Sequence, residues 1–111
     1  MLFALALALQ DTANIELLCS ATPFQNVVRY RLSIDEAAQT FTGTANETVP
    51  ITGKAVVTTD AIMLTKRDER VTYTYQISRV TGDLVLQMGV NDEPPARSVP
   101  GSCQKFTGRA F

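Results

Sequence analysis

Between Val71 and Met88 an apolar side chain falls on almost every second position. In an extended chain Val71, Tyr73, Tyr75 and Ile77 point one way, and Thr72, Thr74, Gln76 and Ser78 point the other. Thr and Tyr suit a pleated surface that is half buried. The alternation breaks at Thr81-Gly82-Asp83, where Gly82 can take the positive φ that a tight turn demands. It resumes with Leu84, Leu86 and Met88 on one face, against Val85 and Gln87 on the other. The stretch predicts a β-hairpin with one buried face.

The same grammar recurs along the chain. Ile15, Leu17 and Cys19 alternate with Glu16, Leu18 and Ser20, and Val28, Tyr30, Leu32 and Ile34 alternate with Val27, Arg29, Arg31 and Ser33. Asp35-Glu36-Ala37-Ala38 reads as a turn ahead of "QTFTGT". Pro50 and Gly53 read as punctuation ahead of "KAVVTT", Asp60-Ala61 as a short connection into "IMLT", and "KRDER" as a polar hairpin tip. "NDEPPARSVPG" reads as the one long irregular segment, and "SCQKF" as the last strand. Outside the first residues, no window of helical length carries apolar residues at three- and four-residue spacing. The pattern predicts an all-β single domain over 14–111: an antiparallel meander of about eight strands, forming a small barrel or a strongly bent sheet. Closure would remove exposed edges.

The opening "MLFALALAL" is uncharged and too short to span a bilayer as a helix. It reads as a signal segment over 1–13 without its basic n-region, so the true start lies upstream of Met1 or the leader is clipped. The competing reading is a first strand of alternating Leu and Ala. Cys19 and Cys103 are the chain's two cysteines, and in a small exported protein they have one way to pair. Loop entropy gives closure of so long a loop an upper figure of about 4.5 kcal/mol. Two buried, unbridged thiols in a cytoplasmic protein is the other reading.

Charge and composition narrow the function classes. The 111 residues carry a net charge of −1, with neither a basic excess nor a basic stripe, which argues against a nucleic-acid partner. There is no His, which removes the commonest general base and the commonest metal ligand together. Two distant Cys do not make a zinc site. No metal and no cofactor is expected.

Candidate chemistry is thin. Ser102 and Lys105 match S-x-x-K in letters, but on a strand they point to opposite faces, so the match reads as chance. The acid pairs Asp35-Glu36, Asp68-Glu69 and Asp92-Glu93 fall in expected turns, where neighbouring carboxylates are solvated and do not face each other across a cleft. Arg29 and Arg31 share the polar face of one strand and form a candidate anion patch, with Lys54 or Arg79 as possible neighbours. Tyr30, Tyr73 and Tyr75 line a ligand cavity or, as is commoner, fill the core of a small barrel. Asn46-Glu47-Thr48 is a glycosylation sequon in form. The segment 91–101 is the candidate binding loop, through Asn91, Asp92, Glu93, Pro94, Pro95, Arg97 and Pro100. Three prolines stiffen it, and a stiff loop loses little entropy on binding.

"RYRLSIDEAAQTFTG", "YTYQISRVTGDLVL" and a late Cys followed by "TGRAF" resemble small exported β-proteins of proteobacteria. Those proteins carry a leader, an early Cys, a strand-turn of this form, a Y-x-I-x-R-x-TG-x-L hairpin and a final Cys. The resemblance implies export and a β fold and attaches no function. The early and late Cys on a small barrel also resemble the architecture of periplasmic lysozyme inhibitors, without their inhibitory loop. The expectation is a non-enzymatic binding protein, periplasmic or secreted. It would engage an envelope or extracellular protein through 91–101, or a small ligand, with no nucleic acid and no stable membrane span. The alternative is a structural or accessory envelope protein with no small-molecule site.

Overall fold

Alternating strands with one apolar face must bury that face, and curling the sheet on itself is the direct way. A computed structural model describes residues 14–23, 25–91 and 97–105. They form eight strands: β1 (Ile15–Ala21), β2 (Val28–Asp35), β3 (Thr40–Ala45), β4 (Val49–Val57), β5 (Ala61–Asp68), β6 (Val71–Ser78), β7 (Asp83–Val90) and β8 (Arg97–Lys105). Each pairs antiparallel with the next, and β8 returns to pair with β1, so the meander closes into a barrel. The expected signal segment, 1–13, lies outside the described residues.

The inward face follows the predicted alternation. Leu17, Leu32, Ile34, Phe41, Ile62, Leu64, Ile77, Leu84 and Leu86 are the large side chains fully removed from solvent. No buried residue is polar or charged by type, and no buried side-chain polar atom lacks a partner among the described residues. Cys19 and Cys103 face each other in the β1–β8 register and are joined as a disulfide that spans 84 residues of sequence. The bridge fastens the seam where the first strand meets the last.

The turns use local side-chain bonds. Gly82 has φ 83°, as its position demands, and Ser78 Oγ accepts the Val80 and Thr81 N–H groups at 3.2 and 3.1 Å. Asp35 Oδ1 accepts the Ala38 N–H at 3.0 Å and so holds the predicted β2–β3 turn. The β3–β4 hairpin turns through Asn46 and Glu47, both at positive φ (52° and 66°).

Three boundaries differ from the sequence reading. Pro50 and Gly53 lie inside β4, not ahead of it. Lys66, Arg67 and Asp68 belong to β5, so the "KRDER" tip shrinks to Glu69-Arg70. β8 begins at Arg97, so Arg97 and Pro100 are strand residues and the irregular segment ends before them. The prolines misled because a proline within a strand ordinarily costs a ladder bond. Here each sits where its strand has one partner: β4 meets β5 only from Lys54 onward, and β8 meets β1 only from Gly101 onward. At Gly53 an added Cβ would run into the Thr65 carbonyl and the Phe41 ring, so only glycine permits this close approach of β4 to β5.

Candidate functional site

The first question is whether the barrel encloses a ligand. In a ring of eight, β2 and β6 stand opposite one another. Tyr30 of β2 and Tyr75 of β6 nonetheless touch edge to face, with ring centroids 5.5 Å apart and planes at 75°. Phe41 of β3 adds a second edge contact to Tyr75 at 6.3 Å. The aromatics bridge the interior and fill it, as eight strands of this size allow. Burial pushes the Tyr75 hydroxyl above its usual range, with the neighbouring Tyr30 and Tyr73 hydroxyls adding to the effect. Burial raises Tyr30 as well, with Tyr73 second.

Lys66 is a charged residue on the inner phase, opposite Tyr73. Its Nζ lies 4.5 Å above the Tyr73 ring centroid and 3.6 Å from Asp68 Oδ2. The stem covers the aromatic surface at the barrel mouth while the ammonium reaches water. Alternation alone gave no reason to place a lysine on the inner face.

The outer surface carries the remaining features. Cross-strand register aligns Val56, Met63, Gln76, Val85 and Pro100 in one row across β4 to β8. Val56, Met63 and Val85 are 51%, 41% and 36% exposed. Four strand spacings make the row roughly 19 Å long. A cleft of about 490 Å³ runs along it, lined by Met63, Gln76, Val85 and the acids Asp60 and Asp83. Single apolar residues on a sheet's wet face need no explanation, but four in one row, interrupted only by Gln76, stand out. Sequence reading missed this row because it exists only in the register. The available signal was an apolar residue at the outward phase of several strands, of which only Val85 was noted.

Arg29 and Arg31 do share the outer face of β2, as expected. Neither Lys54 nor Arg79 joins them. Lys54 falls on the row of Asp35 and Thr40, and Arg79 donates through Nη1 to the Thr58 carbonyl at 2.8 Å. In place of those cations, Ser20 and Ser102 lie on the same row as Arg29. A cleft of about 440 Å³ opens there, above the Cys19–Cys103 bridge.

The candidate loop is divided by the structure. Asn91 turns at φ 56° and its N–H donates to the Arg70 carbonyl at 2.8 Å. Asp92, Glu93, Pro94 and Pro95 lie outside the described residues. Arg97 and Pro100 are exposed on β8, opposite Met88 and Val85.

The other motifs resolve as local structure. Ser102 is exposed and Lys105, opposite Leu17, sits on the inner phase, so the two point apart. Asn46 Oδ1 accepts the Arg29 N–H at 3.0 Å, so the sequon asparagine extends the β2–β3 ladder. Among the described residues no group of three or more His, Cys, Asp or Glu could hold a metal ion. Among them, too, no helix is long and apolar enough to cross a membrane.

No protein-family model, no curated protein and no solved structure matches this chain. What is established is a small closed antiparallel β-barrel with a disulfide across its seam. That bridge is compatible with an oxidising compartment.

Proposed function

We propose that this protein is a non-enzymatic binding module, periplasmic or secreted, that docks a partner protein on its outer sheet surface. The observation that carries the reading is the Tyr30–Tyr75 contact across the interior. The two rings meet across the interior, where a small ligand would otherwise sit, and this favours binding on the outside. The exposed side chains Val56, Met63, Val85 and Pro100, with Gln76 in the middle of their row, supply the apolar part of such a surface. Asp60 and Asp83 beside it suit a partner segment with apolar side chains and a basic residue. Pro100 carries over from the candidate loop as the β8 end of this surface, whereas Arg97, opposite Met88, falls on the inner phase of β8. The bridge Cys19–Cys103 supports the exported location, and the absence of His supports a non-enzymatic role.

The test is capture from envelope extract on immobilised wild type, Met63→Asp and Pro94-Pro95→Gly-Gly. Met63 is outward and exposed, so Met63→Asp leaves the core intact. A defined partner held by wild type and lost by about tenfold or more on Met63→Asp is expected, since a hot-spot contact at the centre of an interface is worth about 2 kcal/mol or more. Equal recovery of the same partners by both would sink the proposal. Loss confined to the Pro94-Pro95 variant would move the surface to the loop.

A further inference from the structure

We infer that the cleft over the disulfide seam is a binding site for a tetrahedral oxyanion, a phosphate or sulfate group, held by Arg29, Ser20, Ser102 and Gln104. This surface lies on β8, β1 and β2, whereas the Asp60–Asp83 cleft lies on β5 to β7.

The argument begins with register. Ser20 is opposite Ser102 on one side and Arg29 on the other, so the three stand in a row across β8, β1 and β2. The next outward row is Gln104, Leu18, Arg31 and Thr44. All of these side chains point outward from the sheet. Opposed side chains on adjacent strands lie roughly 5 Å apart at Cβ. That spacing lets two hydroxyls each donate to a different oxygen of one tetrahedral anion, while the longer Arg29 reaches back from the third strand. A guanidinium fork matches two of its oxygens.

The chemistry of the lining points the same way. Ser20, Ser102, Gln104 and the Arg29 guanidinium all donate, and the cleft of about 440 Å³ contains no carboxylate. None of these four side chains has a hydrogen bond or ion pair within the described structure. Lys66, by contrast, has Asp68, and Arg79 has a carbonyl. Two acids flank the cleft: Asp83 stands opposite Ser102 on β7 and lines the other cleft, and Glu47 lines an adjoining cleft of about 300 Å³ with Arg29 and Arg31; neither forms an ion pair with Arg29. A donor set left without an internal acceptor is what an anion site requires.

The site is also held in place. Cys19 and Cys103 lie between the two rows on the inner face of the same two strands, and their bond fixes the β1–β8 distance that sets Ser20 against Ser102. The serines therefore lose little freedom when an anion arrives.

The experiment is an amide chemical-shift titration of the intact oxidised protein with inorganic phosphate at constant ionic strength, with chloride as the blank. Saturable shifts confined to Ser20, Arg29, Ser102 and Gln104, with a millimolar dissociation constant, are expected. Arg29→Gln, exposed and on the outer face, is expected to weaken the affinity by about tenfold, the worth of one charge-assisted bond. Arg79→Gln is expected to leave it unchanged. Vesicles of phosphatidylglycerol beside phosphatidylcholine distinguish the source: co-sedimentation lost in Arg29→Gln assigns a lipid headgroup, and saturation without co-sedimentation assigns a soluble ester. The same response to chloride as to phosphate, or equal affinity in wild type and Arg29→Gln, overturns the site.

Discussion

Tyr75 shows how much a single ring decides. Its inward direction is legible from the alternation of Val71, Tyr73, Tyr75 and Ile77. Its contact with Tyr30 is not, because nothing in a linear pattern says which strands will stand opposite one another. That contact turns a possible cavity into a filled core. The same burial has a pH consequence. The unfolded phenol loses its proton near the usual 10.0, and the folded one holds it to higher pH. Above about pH 10 the unfolded chain therefore binds fewer protons than the folded one, and rising pH favours unfolding. Stability from this group is fully present below pH 10 and is lost as pH climbs beyond it. Urea unfolding across the alkaline range is expected to show this decline in wild type and a shallower one in Tyr75→Phe. Superimposable profiles would show that Tyr75 ionises as freely in the barrel as in solution.

At the scale of elements, the hairpins divide into those the sequence announces and those it hides. Gly82 announces its turn, and Asp35 announces the one after β2. Gln25, Asn46, Glu47, Glu69 and Asn91 also take positive φ in the connections at one end of the barrel, between β1 and β2, β3 and β4, β5 and β6, and β7 and β8, and Gln39 does so at the other end, between β2 and β3. Asn does so readily, but Gln and Glu carry no such signal, since their Cβ is crowded there. The inner strands hid Pro50 and Pro100 for a related reason: local letters do not show where a ladder stops. Glu47 is the cleanest place to measure the cost. It follows Asn46 in a turn whose second position favours glycine. Glu47→Gly is expected to raise unfolding stability by about 0.5 to 1 kcal/mol in urea. A loss of stability would mean that the Glu47 side chain contributes more than its backbone costs.

For the whole molecule, closure and the bridge are separate contributions. The β1–β8 ladder runs from Leu17↔Lys105 to Ala21↔Gly101, so the seam is paired by its own backbone. The sulfur bond adds to this by restricting the unfolded chain. Reduction is therefore expected to leave the strands folded in buffer while lowering stability by about 2 to 5 kcal/mol. Urea unfolding of oxidised and reduced, alkylated protein checks this, and identical midpoints would show that the ladder alone holds the seam. The eight-strand meander and the cysteine pairing were both readable in advance, from period-two alternation and from a count of two. The outward row through Met63 and the serine pair beside Arg29 were not. Both are products of register, which arises only when the sheet closes.

The bridge makes residues 19 to 103 a covalent ring. A protease that severs one peptide bond at the exposed Glu69-Arg70 tip would leave two backbone pieces and still one molecule. Every strand would keep both neighbours, so the nick would be silent in folding and in size. The halves would come apart only when the chain is denatured with the sulfurs reduced.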